Sequence, residues 1–156
     1  MNRKKKVLFV CIHNSARSQM AEELLRKTAS DRIEVESAGL EPGQLNPIVV
    51  KVLKEEGIDI EGKATKAVVD LIHQAKEYDY VITVCDETSA ERCPVFPGKA
   101  KRFHWSFPDP SQFEGSPEEK SIKVRQVRDQ IREKIEQFLR DSARPGIRAW
   151  RAGEGA

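Results

Sequence analysis

The sequence has few cysteines, few aromatic residues and no long apolar run. Of its 156 residues three are cysteines (Cys11, Cys85 and Cys93), and no C-x2-C pair occurs. This pattern points away from a disulfide framework and towards chemistry or burial in a reducing compartment. The apolar run after the initial MNRKKK, Val7 to Ile12, is too short for a secretory signal or a membrane span. We therefore predict a cytoplasmic protein with no membrane association.

An excess of charge of one sign is also missing. The 27 basic and 25 acidic residues give a net charge of +2, which provides no argument for binding to nucleic acid. The length is sufficient for one domain with a real core. We predict a single domain over residues 1–140 and a flexible tail over 141–156, because DSARPGIRAWRAGEGA lacks an apolar period. No feature suggests an interface, so a monomer is expected.

Predicted strands alternate with predicted helices along the chain. Apolar and β-rich runs predict strands at Val7–Cys11, 33–39, Tyr80–Cys85 and 100–103. Helical periodicity and end signals predict helices over 18–27, from Pro47 to Gly57, over 66–76, and from a capping box at Ser116 through Phe138. The alternation favours right-handed crossovers and a parallel sheet covered on both faces. The predicted class is therefore α/β, a three-layer α/β/α fold with four parallel strands.

The segment CIHNSARS, from Cys11 to Ser18, lies between the first strand and the first helix. Ligands of parallel α/β proteins bind at this edge of the sheet. A loop of this length can direct several backbone N–H groups at one point, and the helix adds its positive end. An arginine can bind two oxygens of one oxyanion. The predicted oxyanion site comprises Ile12, His13, Asn14, Ser15, Ala16, Arg17 and Ser18.

The same environment suits a sulfur nucleophile at Cys11. A helix N-terminus and a nearby cation favour the thiolate form of a cysteine, which is the reactive form. Ser18 is placed to donate a hydrogen bond to that thiolate, and Asn14 tolerates the positive φ that such a loop needs. The alternative interpretation is that Cys11 is an ordinary buried strand residue and Arg17 a surface charge.

Seven segments together resemble a known family. CIHNSARSQMAE followed by VESAGL, LNP, GIDI, VITVCDE, CP and FPDP is similar to the low-molecular-weight tyrosine phosphatase fold, with its P-loop after the first strand. More narrowly, these segments resemble the thioredoxin-coupled arsenate reductase branch of that superfamily. The resemblance covers roughly Val7 to Arg140. The P-loop motif is specific for the superfamily, and the later cysteine pair selects the branch.

The resemblance implies a relay of three cysteines. In that branch the residue matching Cys11 attacks arsenate, the residue matching Arg17 binds the oxyanion, and the residue matching Asp109 acts as general acid. The residue matching Cys85 then attacks the arsenic adduct, and arsenite leaves. The residue matching Cys93 closes a Cys85–Cys93 disulfide, which thioredoxin or a glutaredoxin-like donor reduces. No cofactor is implied.

Some relatives differ from this chain at the cysteine positions. In those relatives the third cysteine lies seven positions beyond the second, whereas Cys93 lies eight positions beyond Cys85. The polar loop between the two is expected to absorb the extra residue. Some relatives also have a further cysteine in the P-loop, where this chain has Ala16.

Some members of the branch bind potassium beside the P-loop. Asn14, Glu22 and Ser37 match three of their ligands, but Thr65-Lys66 stands where the fourth, an aspartate, is expected. An ammonium group at Lys66 is the expected replacement for the cation. We therefore predict no metal site.

Two alternative functions stay open at this point. A tyrosine phosphatase would need only Cys11, Arg17 and Asp109. Residual phosphatase activity is compatible with the predicted oxyanion site. Phosphatases of this family often have tyrosines directly after the Asp-Pro pair, whereas here Ser111-Gln112 follow. The second alternative is a non-enzymatic module that binds arsenite or another soft metal through thiolates. Arginine next to a cysteine is unusual for a cation site.

Overall fold

The computed structural model describes residues 4–85 and 99–143. Its strands are β1 (Lys5–Cys11), β2 (Ile33–Gly39), β3 (Tyr80–Thr83) and β4 (Lys101–His104). Its helices are α1 (Arg17–Ala29), α2 (Pro47–Lys54), α3 (Val68–His73) and α4 (Pro117–Ala143), and a short 3-10 turn spans Pro110–Gln112. Among the described residues, no helix is both long and apolar enough to span a membrane.

The four strands form one sheet in the order β2-β1-β3-β4, and every pairing is parallel. β1 is central, with Cys11 opposite Gly39 of β2 and Val10 opposite Thr83 of β3. The carboxyl ends of β1, β2 and β3 therefore meet at one edge. This is the edge at which the sequence placed the P-loop.

The two faces of the sheet are covered separately. One face packs against α1, α2 and α4 in a large core that includes Phe9, Met20, Leu53, Trp105 and Ile131. The other face packs against α3, whose Val68 and Leu71 contact the buried side chains of β1 and β3. This is the predicted α/β/α arrangement with four parallel strands.

Helix ends follow the sequence signals at α2 and α4. The side chain of Asn46 accepts a hydrogen bond from the Ile48 N–H at 2.9 Å, and Pro47 begins the helix. At α4, Ser116 Oγ accepts from the Glu119 N–H and Glu119 Oε1 accepts from the Ser116 N–H, both at 3.1 Å, which completes the capping box. Gly57 adopts a φ of 79° in the turn that follows α2.

Several predicted helix bounds are wrong, including the end of α2, which lies at Lys54 rather than Gly57. α3 covers Val68–His73 rather than 66–76, because Lys66 and Ala67 stay extended: the Gly39 N–H donates to Lys66 O, and Ala67 bridges to Gly39. Ala75 ends this segment with a φ of 57°. α4 continues to Ala143, three residues into the predicted tail. Residues 144–156 lie outside the described part of the chain.

Candidate active site

The P-loop turns its carbonyl oxygens outward. The carbonyls of residues 11, 12, 13, 15 and 16 accept backbone N–H groups of residues 40, 41, 43, 46 and 20, at 2.7–3.1 Å. The carbonyl of Asn14 accepts from the side chain of Gln19 at 3.0 Å. With every carbonyl between Cys11 and Ala16 anchored from outside, the peptide N–H groups are left to face the interior of the loop.

The free donors of this loop match the predicted oxyanion site. None of the backbone N–H groups of residues 12–16 has an acceptor among the described residues. The first turn of α1 begins at Arg17, directly after the loop. Unpaired N–H groups next to a helix N-terminus form a site for an anion. The residues predicted to form the oxyanion site thus lie in the loop after β1 and the first turn of α1: Ile12, His13, Asn14, Ser15, Ala16, Arg17 and Ser18.

Two backbone features allow the loop to close against β2. Asn14 has a φ of 55°, the left-handed conformation expected from the sequence. Gly39 of β2 packs so closely that a Cβ there would lie 2.8 Å from His13 C, Asn14 N and Ile12 O. Only a glycine permits this approach, so the last residue of VESAG fixes the loop against the sheet.

A hydrogen-bonded chain leads from the sulfur of Cys11 into the protein. Cys11 Sγ lies 2.9 Å from Ser18 Oγ. Asn14 Nδ2 donates to Ser18 Oγ at 2.8 Å and to Ser37 Oγ at 2.9 Å. Because Ser18 Oγ accepts from Asn14, its own hydrogen is available to Cys11. That direction favours the thiolate, which can only accept.

The far end of this chain is a buried carboxylate. Ser37 donates to Glu22 Oε1, and Lys63 Nζ lies 2.9 Å from the same oxygen. Arg26 binds the second oxygen. Burial alone would raise the pKa of Glu22, but Lys63, Ser37 and Arg26 together hold that pKa below its ordinary value. Glu22 is therefore ionised at neutral pH, and Ser37 must donate to it.

The ammonium of Lys66 does not take the place of the cation beside the P-loop, contrary to the prediction from the sequence. Its ammonium binds Glu36 at 3.0 Å, while its backbone N–H donates to Asn14 Oδ1 at 2.9 Å. The cations that contact Glu22 are instead the ammonium of Lys63 and the guanidinium of Arg26. A potassium ion does not fit this donor set, because Lys63 already neutralises Glu22.

Arg17 and Asp109 meet at the mouth of the loop. Arg17 is 4% exposed; its Nη2 lies 3.6 Å from Asp109 Oδ2, and its Nη1 donates to Phe107 O at 3.2 Å. Asp109 Oδ1 accepts from the N–H of Ser111 at 3.0 Å and from its hydroxyl at 2.7 Å. The FPDP segment therefore holds a carboxylate beside the arginine of the P-loop, as the sequence predicted.

The structure describes two of the three cysteines, Cys11 and Cys85. Cys85 follows β3 at the same sheet edge as Cys11, and the Val84 N–H donates to Val10 O at 2.8 Å. Cys11 and Cys85 are both buried in the large core, at 3% and 0% exposure. Cys93 lies outside the described residues, so the predicted Cys85–Cys93 pairing stays a prediction.

Two residues of the site were missed by the sequence reasoning. Gln19 is buried against Asn14, and Lys63 reaches Glu22 from the loop after α2. A polar residue beside the apolar Met20 and Ala21 on α1 could have drawn attention to Gln19. Nothing in the spacing distinguishes Lys63 from the other lysines.

Comparison with known proteins places the chain. Residues 6–145 match the family described as low molecular weight phosphotyrosine protein phosphatase. The chain belongs to this family. Within it, an arsenate reductase of Bacillus licheniformis is 44% identical over 136 residues, which cover 86% of this chain and 95% of the relative.

Solved structures of arsenate reductases are also similar to this chain. An arsenate reductase in its oxidized state is 30% identical with a TM-score of 0.71, covering 87% of this chain and 97% of that chain. A thioredoxin-dependent arsenate reductase of Corynebacterium glutamicum is 31% identical with a TM-score of 0.60, covering 87% and 62%. These similarities confirm the resemblance stated from the motifs.

Proposed function

We propose that this protein is an arsenate reductase that works through a relay of Cys11, Cys85 and Cys93. The observation that supports this most strongly is the P-loop itself, whose carbonyls are all anchored outward while Ser18 is free to donate to Cys11. Such a loop binds a tetrahedral oxyanion over a thiolate. The arsenate reductases among its relatives use the same fold.

In the first step the Cys11 thiolate attacks the arsenic atom of arsenate. An As–S bond forms and an oxygen leaves as water. Arg17 and the loop N–H groups stabilise the charge on the remaining oxygens. Asp109, beside Arg17 at the mouth, supplies the proton to the departing oxygen.

The second step transfers two electrons to arsenic. The Cys85 thiolate attacks the Cys11 sulfur, a Cys11–Cys85 disulfide forms, and the As–S electron pair stays on arsenic, which leaves as arsenite. Cys11 ends β1 and Cys85 lies two residues beyond the end of the adjacent strand β3. This placement supports the step, because paired strands lie about 4.8 Å apart.

The third step frees Cys11. The Cys93 thiolate attacks the Cys85 sulfur, a Cys85–Cys93 disulfide forms, and the Cys11 thiolate is released. Since Cys85 is fully buried in the described structure, this step requires the segment after β3 to bring the sulfur to Cys93. Thioredoxin, or a glutaredoxin-like donor, then reduces the disulfide.

A coupled assay tests the relay. Arsenate, thioredoxin, thioredoxin reductase and NADPH are supplied, and NADPH oxidation is followed at 340 nm. We expect Cys93→Ser to abolish arsenate-dependent turnover while hydrolysis of an aryl phosphate, which needs only Cys11, Arg17 and Asp109, continues. Replacing thioredoxin by glutaredoxin and glutathione identifies the reductant.

One outcome of the same assay would contradict the proposed function. Rapid aryl phosphate hydrolysis by the wild-type chain, with no NADPH oxidation on adding arsenate, would make the protein a phosphatase. Cys11→Ser serves as the control, because it removes the shared nucleophile and must abolish both reactions.

A further inference from the structure

The side chain of Gln19 makes an unusual double contact with the P-loop. Gln19 lies in the first turn of α1 and is fully buried. Its Nε2 donates to the backbone carbonyl of Asn14 at 3.0 Å and to Asn14 Oδ1 at 3.1 Å. Both neighbours are oxygens and the carbonyl can only accept, so the nitrogen of Gln19 must face Asn14.

This contact differs from the other anchors of the loop. Five of the six carbonyls from Cys11 to Ala16 are held by backbone N–H groups, whereas that of Asn14 depends on a side chain. Asn14 is also the loop residue with positive φ. One nitrogen therefore holds both the backbone and the side chain of the residue whose conformation is least favourable.

The orientation of the Asn14 amide determines a bond at the nucleophile. Its Oδ1 accepts from Gln19 and from the Lys66 N–H, which turns its Nδ2 towards Ser18 and Ser37. Ser18 Oγ must then accept from Asn14, and its hydrogen points to Cys11.

We propose that Gln19 is a positioning residue for the nucleophile and the oxyanion loop, acting through Asn14. It keeps the Asn14 carbonyl turned away from the anion and keeps the amide aimed so that Ser18 donates to the Cys11 thiolate. The proposal rests on the proposed function only in taking Cys11 as the nucleophile.

A second observation separates this role from simple packing. Gln19 Oε1 is buried and has no hydrogen-bond partner among the described residues. An unpaired buried oxygen destabilises a fold, and a methionine of similar shape would avoid it. The unpaired Oε1 of Gln19 is thus unfavourable for stability, whereas its Nε2 holds the P-loop through Asn14.

The first test replaces Gln19 by Met and measures two properties that do not involve arsenate reduction. One is the rate at which iodoacetamide alkylates Cys11 at pH 6, assigned to this residue by peptide mapping. The other is the dissociation constant for inorganic phosphate from calorimetry. We expect alkylation to slow and phosphate binding to weaken, each by about three- to tenfold, the range for one lost hydrogen bond.

The matched control is Gln126→Met, the same chemical change on the exposed face of α4. It should leave alkylation and phosphate binding unchanged. If Gln19 only filled space, Gln19→Met would alter the unfolding midpoint and leave both readouts at their wild-type values. That result would overturn the proposal.

A double-mutant cycle tests whether Asn14 transmits the effect. An Asn14→Gly background removes the amide that Gln19 orients and keeps the backbone carbonyl at position 14. Because the hydrogen bond from Ser18 to Cys11 depends on the amide, adding Gln19→Met there should change alkylation less than twofold, whereas phosphate binding should still weaken. Equal effects of Gln19→Met on alkylation in both backgrounds would contradict the proposal. Should the methionine variant not fold, Gln19→Glu keeps the shape and places an oxygen against the two oxygens of Asn14. Unchanged alkylation and phosphate binding in that variant would also overturn it.

The relay and this proposal fail separately. Full arsenate-dependent turnover by Cys93→Ser would contradict the relay and leave the alkylation and phosphate measurements intact. Conversely, unchanged alkylation in the Gln19 variants would leave the relay untouched.

Discussion

The ends of β1 and β3 lie side by side at one edge of the sheet but are built differently. After β1 the chain enters a loop in which every carbonyl is anchored and a polar chain runs from Cys11 through Ser18 and Asn14 to Ser37. After β3 the chain places Cys85 in the apolar core, fully buried.

The difference indicates a division of labour. The first end is held by hydrogen bonds from the surrounding chain, which suits binding and attack on an anion. The second end stores its sulfur away from solvent, which suits a thiol that must react only once an adduct exists. Perturbing each end separately should therefore affect different properties.

The largest effect is expected from Gly39→Ala. The added Cβ would lie 2.8 Å from three backbone atoms of the P-loop, so the loop must move. We expect about 1–3 kcal/mol of lost stability from overpacking and phosphate binding weakened by about tenfold or more, since several N–H donors are displaced together. Urea unfolding and phosphate calorimetry measure the two effects.

Gly43→Ala is the control for that variant. A Cβ at position 43 would lie 3.5 Å from the Cβ of His13, an ordinary contact, and the Gly43 N–H would still reach His13 O. If Gly39→Ala bound phosphate as tightly as Gly43→Ala, the first strand end would not be as constrained as its contacts indicate.

A smaller effect is expected from Lys63→Met, which removes the ammonium beside Glu22. Since Lys63 helps to lower the pKa of Glu22, the wild-type stability from this carboxylate is present above pH 4.5 and is lost as the pH falls through the lowered pKa. Without Lys63 the buried carboxylate keeps only Arg26 as a cationic partner and Ser37 as a neutral donor among the described residues. We expect a loss of about 1–3 kcal/mol at pH 7. The loss should be smaller at pH 4, because the carboxylate of the variant lacks Lys63 and takes up a proton more readily than that of the wild type.

Urea unfolding at the two pH values measures this change, with Lys54→Met as the comparison. Lys54 pairs with Glu61 at 3.9 Å on the exposed surface, where such a pair contributes about 0–1 kcal/mol. A Lys63→Met effect that is equal at pH 7 and pH 4 would show that Lys63 does not act through the charge of Glu22.

The smallest effect is expected from Thr83→Val at the end of β3. Thr83 Oγ1 lies 2.8 Å from His104 Nδ1, and loss of the hydroxyl should lower the free energy of unfolding by about 1 kcal/mol. Phosphate binding should stay at its wild-type value, because the Thr83 side chain has its hydrogen bonds with Phe103 O and His104 Nδ1 and none with the P-loop in the described structure. Weakened phosphate binding would mean that the two strand ends are coupled.

The parts of this fold that depend on local signals could be predicted from the sequence. The strand before Cys11, the positive φ at Asn14, the cap at Asn46 and the box at Ser116 each follow from neighbouring residues. The parallel sheet followed from the alternation of strands and helices, and it places the carboxyl ends of β1 and β3, with Cys11 and Cys85, at one edge.

Long-range polar contacts could not be predicted in this way. Lys63 and Lys66 are three residues apart with the same charge, and only the tertiary path of the loop sends one to Glu22 and the other to Glu36. The start of α3 was wrong for a similar reason, because a bridge to Gly39 outweighs the helical pattern at Ala67. Gln19 was missed because its partner is a loop conformation rather than another side-chain pattern.

The outward anchoring of the P-loop carbonyls also bears on selectivity in the cell. A receptor built from peptide N–H groups and one guanidinium gauges size and charge, and phosphate equals arsenate in both. Phosphate, which is abundant in cells, is therefore expected to compete with arsenate for the same binding site. Under the proposed relay, selection between the two anions depends on the later steps, because arsenic can accept the electron pair of the bond to sulfur when a second sulfur attacks and phosphorus cannot.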